Sequence, residues 1–340
     1  MPLILKSTYR PPVFFSNAHV QTIYPTLFRQ VRGVNYVRER ILTDDNDFID
    51  LDWSRKGADK VVIVSHGLEG HSQRFYMLGM IKAFNRRGWD GVAFNFRGCS
   101  GEPNRLLRSY HSGATEDLHT VVRHVLEIER YSSISLVGFS IGGNLTLKYI
   151  GEMGRDLSRF IKSAAAVSVP CDLESSASKL AERSNILYMK RFLKMFHDKI
   201  RLKMEIMPGK IDDSDYTSIR TFKEFDARYT APIHGFPSVE DYYARCSCKQ
   251  FLSKINIPTL LINAQNDPFL PDGCYPVEEA GESRYLFLEM PASGGHVGFI
   301  DFNSTGEYWH ELRVASFITG ENKKNAAQIN YRKRGDRYRK

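Results

Sequence analysis

The feature that most constrains the fold of this chain is a short apolar run ending in Gly-x-Ser-x-Gly, with Ser140 at its centre. Residues 136–139 are typical of a buried strand, and residues 144–150 are typical of a helix. A strand, a tight turn with one serine and a helix predict a nucleophile elbow, which points the serine hydroxyl out of the sheet. Gly138 and Gly142 suit the turn because a side chain at either place would clash. The motif alone matches by chance about 0.1 times in such a chain, so an ordinary small-residue turn stays an alternative.

Apolar and β-branched runs on both sides of this turn predict a mainly parallel sheet. The alternation of strands with helical stretches indicates that helices cover both faces of the sheet. We expect residues 1–35 to be irregular, since Pro11, Pro12 and Pro25 interrupt any long element. The predicted strands are residues 38–42, 48–53, 61–65, 91–96, 136–139, 164–169, 259–263 and 285–288, and the predicted helices in the first half are 77–87 and 116–130.

Residues 172–250 interrupt this alternation with a helical pattern rich in charged and aromatic side chains. We interpret them as a cap inserted between two strands of a single α/β domain that spans residues 1–320. The aromatic side chains of residues 186–196 either line an acyl pocket or pack inside the cap. A basic tail, residues 321–340, follows.

The net charge of +8 is concentrated in that tail. Residues 321–340 contain eight basic and two acidic residues, a net charge of +6, which leaves +2 for the rest of the chain. A tail of this composition is predicted to be disordered, with at most peripheral contact to a membrane. We expect no nucleic-acid partner, because the basic residues do not spread over the fold; the oligomeric state stays open.

Cysteine usage and missing motifs limit the possible compartments and cofactors. The five cysteines are odd in number and scattered, which favours a reducing compartment, the cytoplasm. There is no apolar run of about 18 residues and no secretory signal pattern at residues 1–12. The pair Cys246-x-Cys248 is too closely spaced for a usual zinc site. Dinucleotide and Walker motifs are absent, so no cofactor and no metal are predicted.

A serine nucleophile needs a histidine base, and on this kind of sheet the order along the chain is serine, acid, histidine. His296 is the strongest candidate base because it lies in a glycine-rich loop just after the predicted last strand. His197 and His234 lie in the predicted cap. His310 lies in the last predicted helix, where a surface or packing role is expected.

Asp267 is the strongest candidate for the acid that orients the base. It follows the predicted strand 259–263, at the edge of the sheet where sites on open α/β folds collect. Asp272 lies further along the same loop. Asp172 competes with Asp267 because it follows the preceding strand.

The tetrahedral intermediate of acyl transfer also needs two N–H donors for its oxyanion. We assign these to the backbone of Ile141, directly after the nucleophile, and of Leu68, in the loop after strand 61–65. Gly67 lets that loop approach closely. His66 is then expected to brace the loop rather than to act as a base.

Several motifs together resemble one family, the YheT-like branch of the α/β-hydrolase superfamily, bacterial esterases related to mammalian lipid-cleaving hydrolases. The similarity covers the chain up to about residue 320, with Ala18 where the family pattern has proline. It implies the α/β-hydrolase fold, with Ser140 as nucleophile, Asp267 as acid, His296 as base, and no cofactor or metal. The motifs are residues 17–25, 66–70, 97–104, 110–113, 116–117, 138–144, 225–226, 230–236, 241–243, 266–268 and 294–299.

The predicted function is a serine carboxylesterase that cleaves short- to medium-chain acyl esters, lipid-derived esters included, through an acyl-enzyme. Two alternatives stay open. The same triad could serve a lipase or an acyltransferase, and His296-x-x-x-x-Asp301 resembles an acyltransferase signature. The chain could also be a non-catalytic protein of this fold that binds partners through its basic tail.

Overall fold

A nine-stranded sheet forms the centre of the computed structural model, which describes residues 3–321. The strand order is β1-β9-β8-β7-β6-β4-β5-β3-β2. The strands are β1 (Leu3–Ile4), β2 (Val37–Leu42), β3 (Phe48–Ser54), β4 (Lys60–Ser65), β5 (Asp90–Asn95), β6 (Ser133–Phe139), β7 (Ile161–Val167), β8 (Thr259–Ile262) and β9 (Leu286–Glu289).

The sheet is mainly parallel, as the sequence predicts. Strand β3 pairs antiparallel with β2 and with β5, and the other pairs are parallel. The β-branched residues 61–64 of β4 are almost fully buried, because helices cover both faces of a parallel sheet. Neighbouring parallel strands β4, β6 and β7 end at one edge, where Ser65, Gly138 and Ala166 are in register.

Helices on both faces enclose two apolar cores. One core packs α3 and α4 against the sheet, and the other packs α2 and α11 against the opposite face. The helices are α1 (Ala18–Phe28), α2 (Phe75–Asn85), α3 (Thr115–Glu127), α4 (Ile141–Met153), α5 (Leu173–Leu180), α6 (Ile186–Ile206), α7 (Phe222–Phe225), α8 (Ala231–Ile233), α9 (Val239–Cys246), α10 (Val277–Glu282) and α11 (Trp309–Thr319).

The chain leaves the sheet after β7 and returns at β8, and helices α5 to α9 lie between these strands. These helices share an apolar core of their own, built around residues such as Met189, Phe222 and Tyr242. A π-helical turn, Asp226–Thr230, connects α7 to α8. The insertion has the helical content expected for residues 172–250, and its action as a cap stays a prediction.

The expectation that residues 1–35 are irregular is wrong. Strand β1 pairs in parallel with β9, and α1 runs through Pro25. The Asn17 side chain caps α1 by accepting from the N–H groups of residues 19 and 20. These N–H groups have no carbonyl acceptor within the helix, because they lie in its first turn. Pro25 lies in the last turn of α1, so the helix continues only three residues beyond it.

Residues 3–321 bear in part on the compartment expected for this chain. No helix among them is both long and apolar enough to cross a bilayer. All five cysteines are buried and unpaired. Residues 322–340 lie outside the described part of the chain, so the predicted disorder of the tail stays a prediction. The cytoplasmic compartment stays a prediction.

Candidate active site

Ser140 occupies a strained turn between β6 and α4. Its backbone has φ 53° and ψ −122°, a conformation that non-glycine residues adopt mainly where the surroundings enforce it. A Cβ at Gly138 would overlap the backbone of Gly142, and a Cβ at Gly142 would overlap the His66 carbonyl oxygen. The two glycines therefore permit the turn that the sequence predicts.

Ser140, His296 and Asp267 form a hydrogen-bonded series at the carboxyl edge of the sheet. Ser140 Oγ lies 3.0 Å from His296 Nε2. His296 Nδ1 lies 2.8 Å and 3.1 Å from the two carboxylate oxygens of Asp267. Because an ionised carboxylate only accepts, Nδ1 carries the imidazole proton and leaves Nε2 free to accept from the serine.

The carboxylate of Asp267 is itself held in place. Its side chain is fully buried, and the backbone N–H of Phe269 donates to its Oδ1 at 2.9 Å. The ring of Phe269 packs against His296, with 4.3 Å between ring centroids. The acid and the imidazole are thus fixed by one loop after β8.

Three side chains far apart in sequence hold the loop of His296. The N–H of His296 donates to Thr22 Oγ1 at 2.9 Å, and that of Val297 donates to Ser168 Oγ at 2.9 Å. The N–H of Gly295 donates to Asn266 Oδ1 at 3.0 Å. The sequence analysis missed these supports. The family-like motif at residues 17–25, which contains the threonine, was the available signal.

The two predicted oxyanion donors lie beside Ser140. Residues 67–70 form a turn closed by a 2.9 Å bond from the last N–H to the Gly67 carbonyl oxygen. A Cβ at Gly67 would lie 3.1 Å from Ser140 Cβ, so this turn passes close to the serine. Within residues 3–321, the N–H groups of Leu68 and Ile141 donate to no protein acceptor. Both N–H groups are therefore available to a ligand in the cavity.

A buried acidic residue supports the same turn. Glu69 has φ +52° and is largely buried. Its Oε1 accepts from the Tyr110 hydroxyl at 2.6 Å and pairs with Lys199 Nζ at 2.9 Å. The same tyrosine oxygen accepts from the N–H of Glu69 at 3.1 Å. Lys199 belongs to α6, so a residue of the insertion fixes the backbone next to Leu68. Sequence reasoning did not identify this contact.

His66 braces the turn from beneath. The N–H of Phe96 donates to His66 Nε2 at 3.1 Å, so Nδ1 carries the proton and donates to the Gly67 carbonyl oxygen at 2.7 Å. Burial lowers the pKa of His66 to about 3, which keeps the ring neutral at neutral pH. Its two nitrogens are occupied by the backbone, which leaves neither for Ser140.

The alternative acids lie elsewhere. Asp172 caps α5, where its Oδ1 accepts from the N–H of Ser175 at 3.1 Å. Asp272 begins a short 3-10 turn, and neither residue makes a hydrogen bond to His296 in the described structure. Asp301, the acid of the acyltransferase-like pattern, lies outside the cavity lining.

The alternative histidines also have other partners. His197 Nε2 pairs with Asp213 at 2.8 Å on the insertion. The nitrogens of His234 face the carbonyl oxygens of residues 230 and 109. His310 is fully buried, which agrees with the packing role expected for it, and neither of its nitrogens has a hydrogen-bond partner within residues 3–321.

A cavity of about 510 Å³ lies between the sheet edge and the insertion, with Ser140 and His296 in its wall. Its volume falls in the range typical of small-molecule sites. Part of its lining comes from the aromatic stripe of α6, which favours the pocket interpretation of residues 186–196. The apolar side chains in its wall include Ile23, Leu27, Leu68, Leu173, Tyr188, Phe192, Met195, Phe196, Ile211, Phe222, Phe225 and Phe269.

One asparagine in the first turn of α4, the helix that follows Ser140, links this helix to the insertion. Asn144 Nδ2 donates to the carbonyl oxygens of Ser112 and Cys246, at 2.9 Å and 2.8 Å. Its Oδ1 accepts from the N–H of Cys248 at 2.8 Å. The motif residues 110–113 and the end of α9 thus meet at α4. In residues 3–321, no group of three or more His, Cys, Asp or Glu side chains could hold a metal ion.

Comparison with known proteins gives consistent results for family and fold. The family model described as "Serine aminopeptidase, S33" matches residues 56–274. The chain is 36% identical to "Putative esterase YheT" of Escherichia coli (strain K12), over 90% of this chain and 91% of that protein. It is 30% identical to "Phospholipase ABHD3" of Bos taurus, over 88% of this chain and 74% of the relative.

Solved structures agree on the fold. The Pyrococcus furiosus esterase Pf2001 superposes with a TM-score of 0.55 at 18% identity, covering 91% of this chain and 98% of that one. The matched family, the shared fold and the similarity along most of the chain agree with one another. The chain therefore belongs to the α/β-hydrolase superfamily, within the YheT-like family of ester hydrolases.

Proposed function

We propose that this chain is a serine carboxylesterase that hydrolyses short- to medium-chain acyl esters, lipid-derived esters among them. One observation carries the proposal: the hydrogen-bonded series Asp267–His296–Ser140 opens into an apolar cavity of about 510 Å³. A serine, an imidazole and a carboxylate at these distances form an activated nucleophile.

In the first half of the proposed reaction, Ser140 Oγ attacks the ester carbonyl carbon while His296 Nε2 takes the hydroxyl proton. Asp267 keeps the other imidazole proton on Nδ1 and stabilises the imidazolium that forms. The N–H groups of Leu68 and Ile141 bind the oxyanion. His296 then gives its proton to the leaving alkoxide oxygen, the carbon–oxygen bond breaks, and the acyl group stays on Ser140.

In the second half, a water molecule replaces the alcohol. His296 Nε2 takes a proton from this water as its oxygen attacks the acyl carbon, and the same two N–H groups bind the oxyanion. When the tetrahedral intermediate collapses, the proton returns to Ser140 Oγ and the carboxylic acid leaves. No step needs a metal or an organic cofactor.

The cavity supports the proposed substrate class. Aromatic and aliphatic side chains of the insertion, including Phe192 and Phe196, face the same space as Ser140. Apolar walls with a few polar groups at one end suit an acyl chain whose carbonyl reaches the nucleophile. One relative is named a phospholipase, and lipid-derived esters are included in the proposal for that reason.

A p-nitrophenyl ester series, from acetate to a long-chain ester, tests the proposal. We expect Ser140→Ala and His296→Gln each to lower kcat by about 10³-fold or more, because the triad acts as a unit. His197→Gln is the matched control, because His197 also pairs with an aspartate at 2.8 Å but lies away from the serine. Hydrolysis that survives in Ser140→Ala, or no hydrolysis of any ester by the unaltered chain, would refute the proposal.

A further inference from the structure

The outward face of α1 is apolar although solvent reaches it. The helix contains no charged residue, and it buries Gln21 and Pro25 on its inner side. At about 100° per residue, Val20, Ile23 and Leu27 fall within about 60° of one another on the outer side. This is the reverse of an ordinary surface helix, which buries its apolar stripe.

Neighbouring elements extend this surface. His19 Nδ1 lies 3.1 Å from the Tyr188 hydroxyl, which joins α1 to the start of α6, where Leu187 is 75% exposed. On the other side, the Phe302 ring packs against Tyr24 of α1. We call these exposed residues the mouth patch: Val20, Ile23, Leu27, Phe28, Leu187 and Phe302.

The mouth patch adjoins the opening of the cavity that contains Ser140. Ile23 and Leu27 belong both to the patch and to the cavity wall, and Leu27 is 63% exposed. Tyr188, next to Leu187 in sequence, also lines the cavity. Apolar surface thus continues from the outside of the protein to the serine.

Positive charge flanks the mouth patch. Arg74 and Arg191 line the same cavity, and within residues 3–321 neither forms an ion pair with a carboxylate. Lys190 and Lys194 are exposed on α6, and residues 186–197 contain no acidic residue. Apolar side chains beside unpaired cations match the chemistry of an anionic lipid surface. A second copy docked patch to patch would bring these cations together, which disfavours a dimer.

We propose that the mouth patch docks on a bilayer that contains anionic phospholipid and brings the cavity opening to the lipid surface. Val20, Ile23, Leu27, Phe28, Leu187 and Phe302 enter the headgroup region, and the cations of α6 face the lipid phosphates. The docking itself does not depend on the proposed esterase activity. Its consequence, delivery of a lipid ester directly from the membrane, does rest on that function.

Vesicle sedimentation of the full chain tests the docking. Every variant also carries Ser140→Ala, so the lipid stays intact whether or not the chain is an esterase. The variants are Leu27→Asp on α1 and Leu187→Asp on α6, and the matched control is Leu42→Asp. Leu42 is 62% exposed, close to the 63% of Leu27, but lies on the edge strand β2. The vesicles contain phosphatidylcholine, with or without phosphatidylglycerol.

We expect the parent chain and Leu42→Asp to bind vesicles with phosphatidylglycerol, and each mouth-patch variant to bind at least ten-fold more weakly. Binding to phosphatidylcholine alone should be weaker for all. Melting temperatures identify any variant that fails to fold. If one mouth-patch variant does not fold, the vesicle binding of the other one tests the proposal. No binding by the parent chain, equal binding by Leu27→Asp and Leu42→Asp, or a dimer that Leu27→Asp dissociates would each overturn the proposal.

Discussion

Glu69 adopts a left-handed backbone conformation that costs a non-glycine residue on the order of 1–3 kcal/mol. Its carboxylate contacts with Tyr110 and Lys199 stabilise that conformation. The next residue back is Leu68, whose N–H we assign to the oxyanion. An ion pair between this buried carboxylate and the partly exposed Lys199 thus holds the backbone next to the N–H of Leu68 in place.

We expect Lys199→Met to lower kcat about ten-fold with little change in KM, because a displaced N–H stabilises the oxyanion less. Lys199→Arg should recover part of the rate, since it restores the charge beside Glu69. The measurement is kcat and KM on a soluble p-nitrophenyl ester, together with the affinity of a trifluoromethyl ketone that mimics the oxyanion.

The control for that variant is Arg201→Met on the same helix, which removes a surface ion pair with Asp213 away from the cavity. If Lys199 has only a structural role, Lys199→Met would lower the melting temperature, and the affinity for the ketone would fall no more than the affinity for a neutral competitive inhibitor. That result would contradict the assignment of Lys199 as a positioning residue.

At the scale of single elements, α1 supports the loop that contains His296. Its inner face contacts the loop of residues 294–298, where a Cβ at Gly295 would crowd the Ala18 carbonyl oxygen and one at Gly298 would overlap the Gln21 backbone. The Thr22 hydroxyl oxygen accepts the N–H of His296. The position of the imidazole therefore depends on a helix near the other end of the chain.

Replacing Thr22 with valine removes this acceptor and leaves a partly buried N–H without a partner. We expect Thr22→Val to lower kcat about ten-fold and to cost about 1–3 kcal/mol of stability. Thr120→Val in α3 is the matched control, because the hydroxyls of Thr22 and Thr120 each donate to the carbonyl oxygen four residues earlier in their helices. Thr120 does not line the cavity. Equal rates for the two variants would show that α1 does not position His296.

Local patterns explain why much of the sheet and the serine turn could be predicted. Each buried β-branched run became a strand within one to three residues of its predicted bounds, as at β4 and β8. The helix α1 was missed because Pro25 is a strong local breaker, whereas the contacts that favour α1 come from residues near 296. The Glu69–Lys199 pair could not be predicted either, because it joins residues far apart in sequence. It forms only when the insertion packs on the edge of the sheet.

At the scale of the whole molecule, buried histidines link stability to pH. Burial holds the pKa of His66, His111 and His310 below its ordinary value of 6.5. These rings stay neutral in the folded chain, while in the unfolded chain they bind protons below about pH 6.5. Their contribution to stability is therefore complete above pH 6.5 and is lost as the pH falls.

We expect the free energy of unfolding to fall between pH 7 and pH 5, by up to about 2 kcal/mol for each of the three histidines. Asp226 opposes this trend, because burial raises its pKa to about 6 and its protonation in the folded chain adds stability over the same range. Urea unfolding at both pH values measures the net effect.

His310→Leu isolates one contribution to that loss. The leucine should raise stability at pH 7 by about 1–3 kcal/mol, because it removes two buried nitrogens that have no hydrogen-bond partner among residues 3–321. It should also make the loss of stability at pH 5 smaller. An unchanged pH dependence would mean that His310 is protonated or hydrated in the folded chain.

The pairing of β1 with β9 and the contact of α1 with the His296 loop have a consequence for biosynthesis. A ribosome releases residues 18–28 long before residues 294–298 are translated. During that time the inner face of α1 lacks the loop it packs against in the folded protein, and its apolar outer face is exposed as well. The turn of Ser140 can form from early segments, but the loop of His296 cannot contact α1 until residues 294–298 have been translated. On a stalled, ribosome-bound chain, the proposed hydrolytic activity would therefore start only after residues 294–298 have emerged.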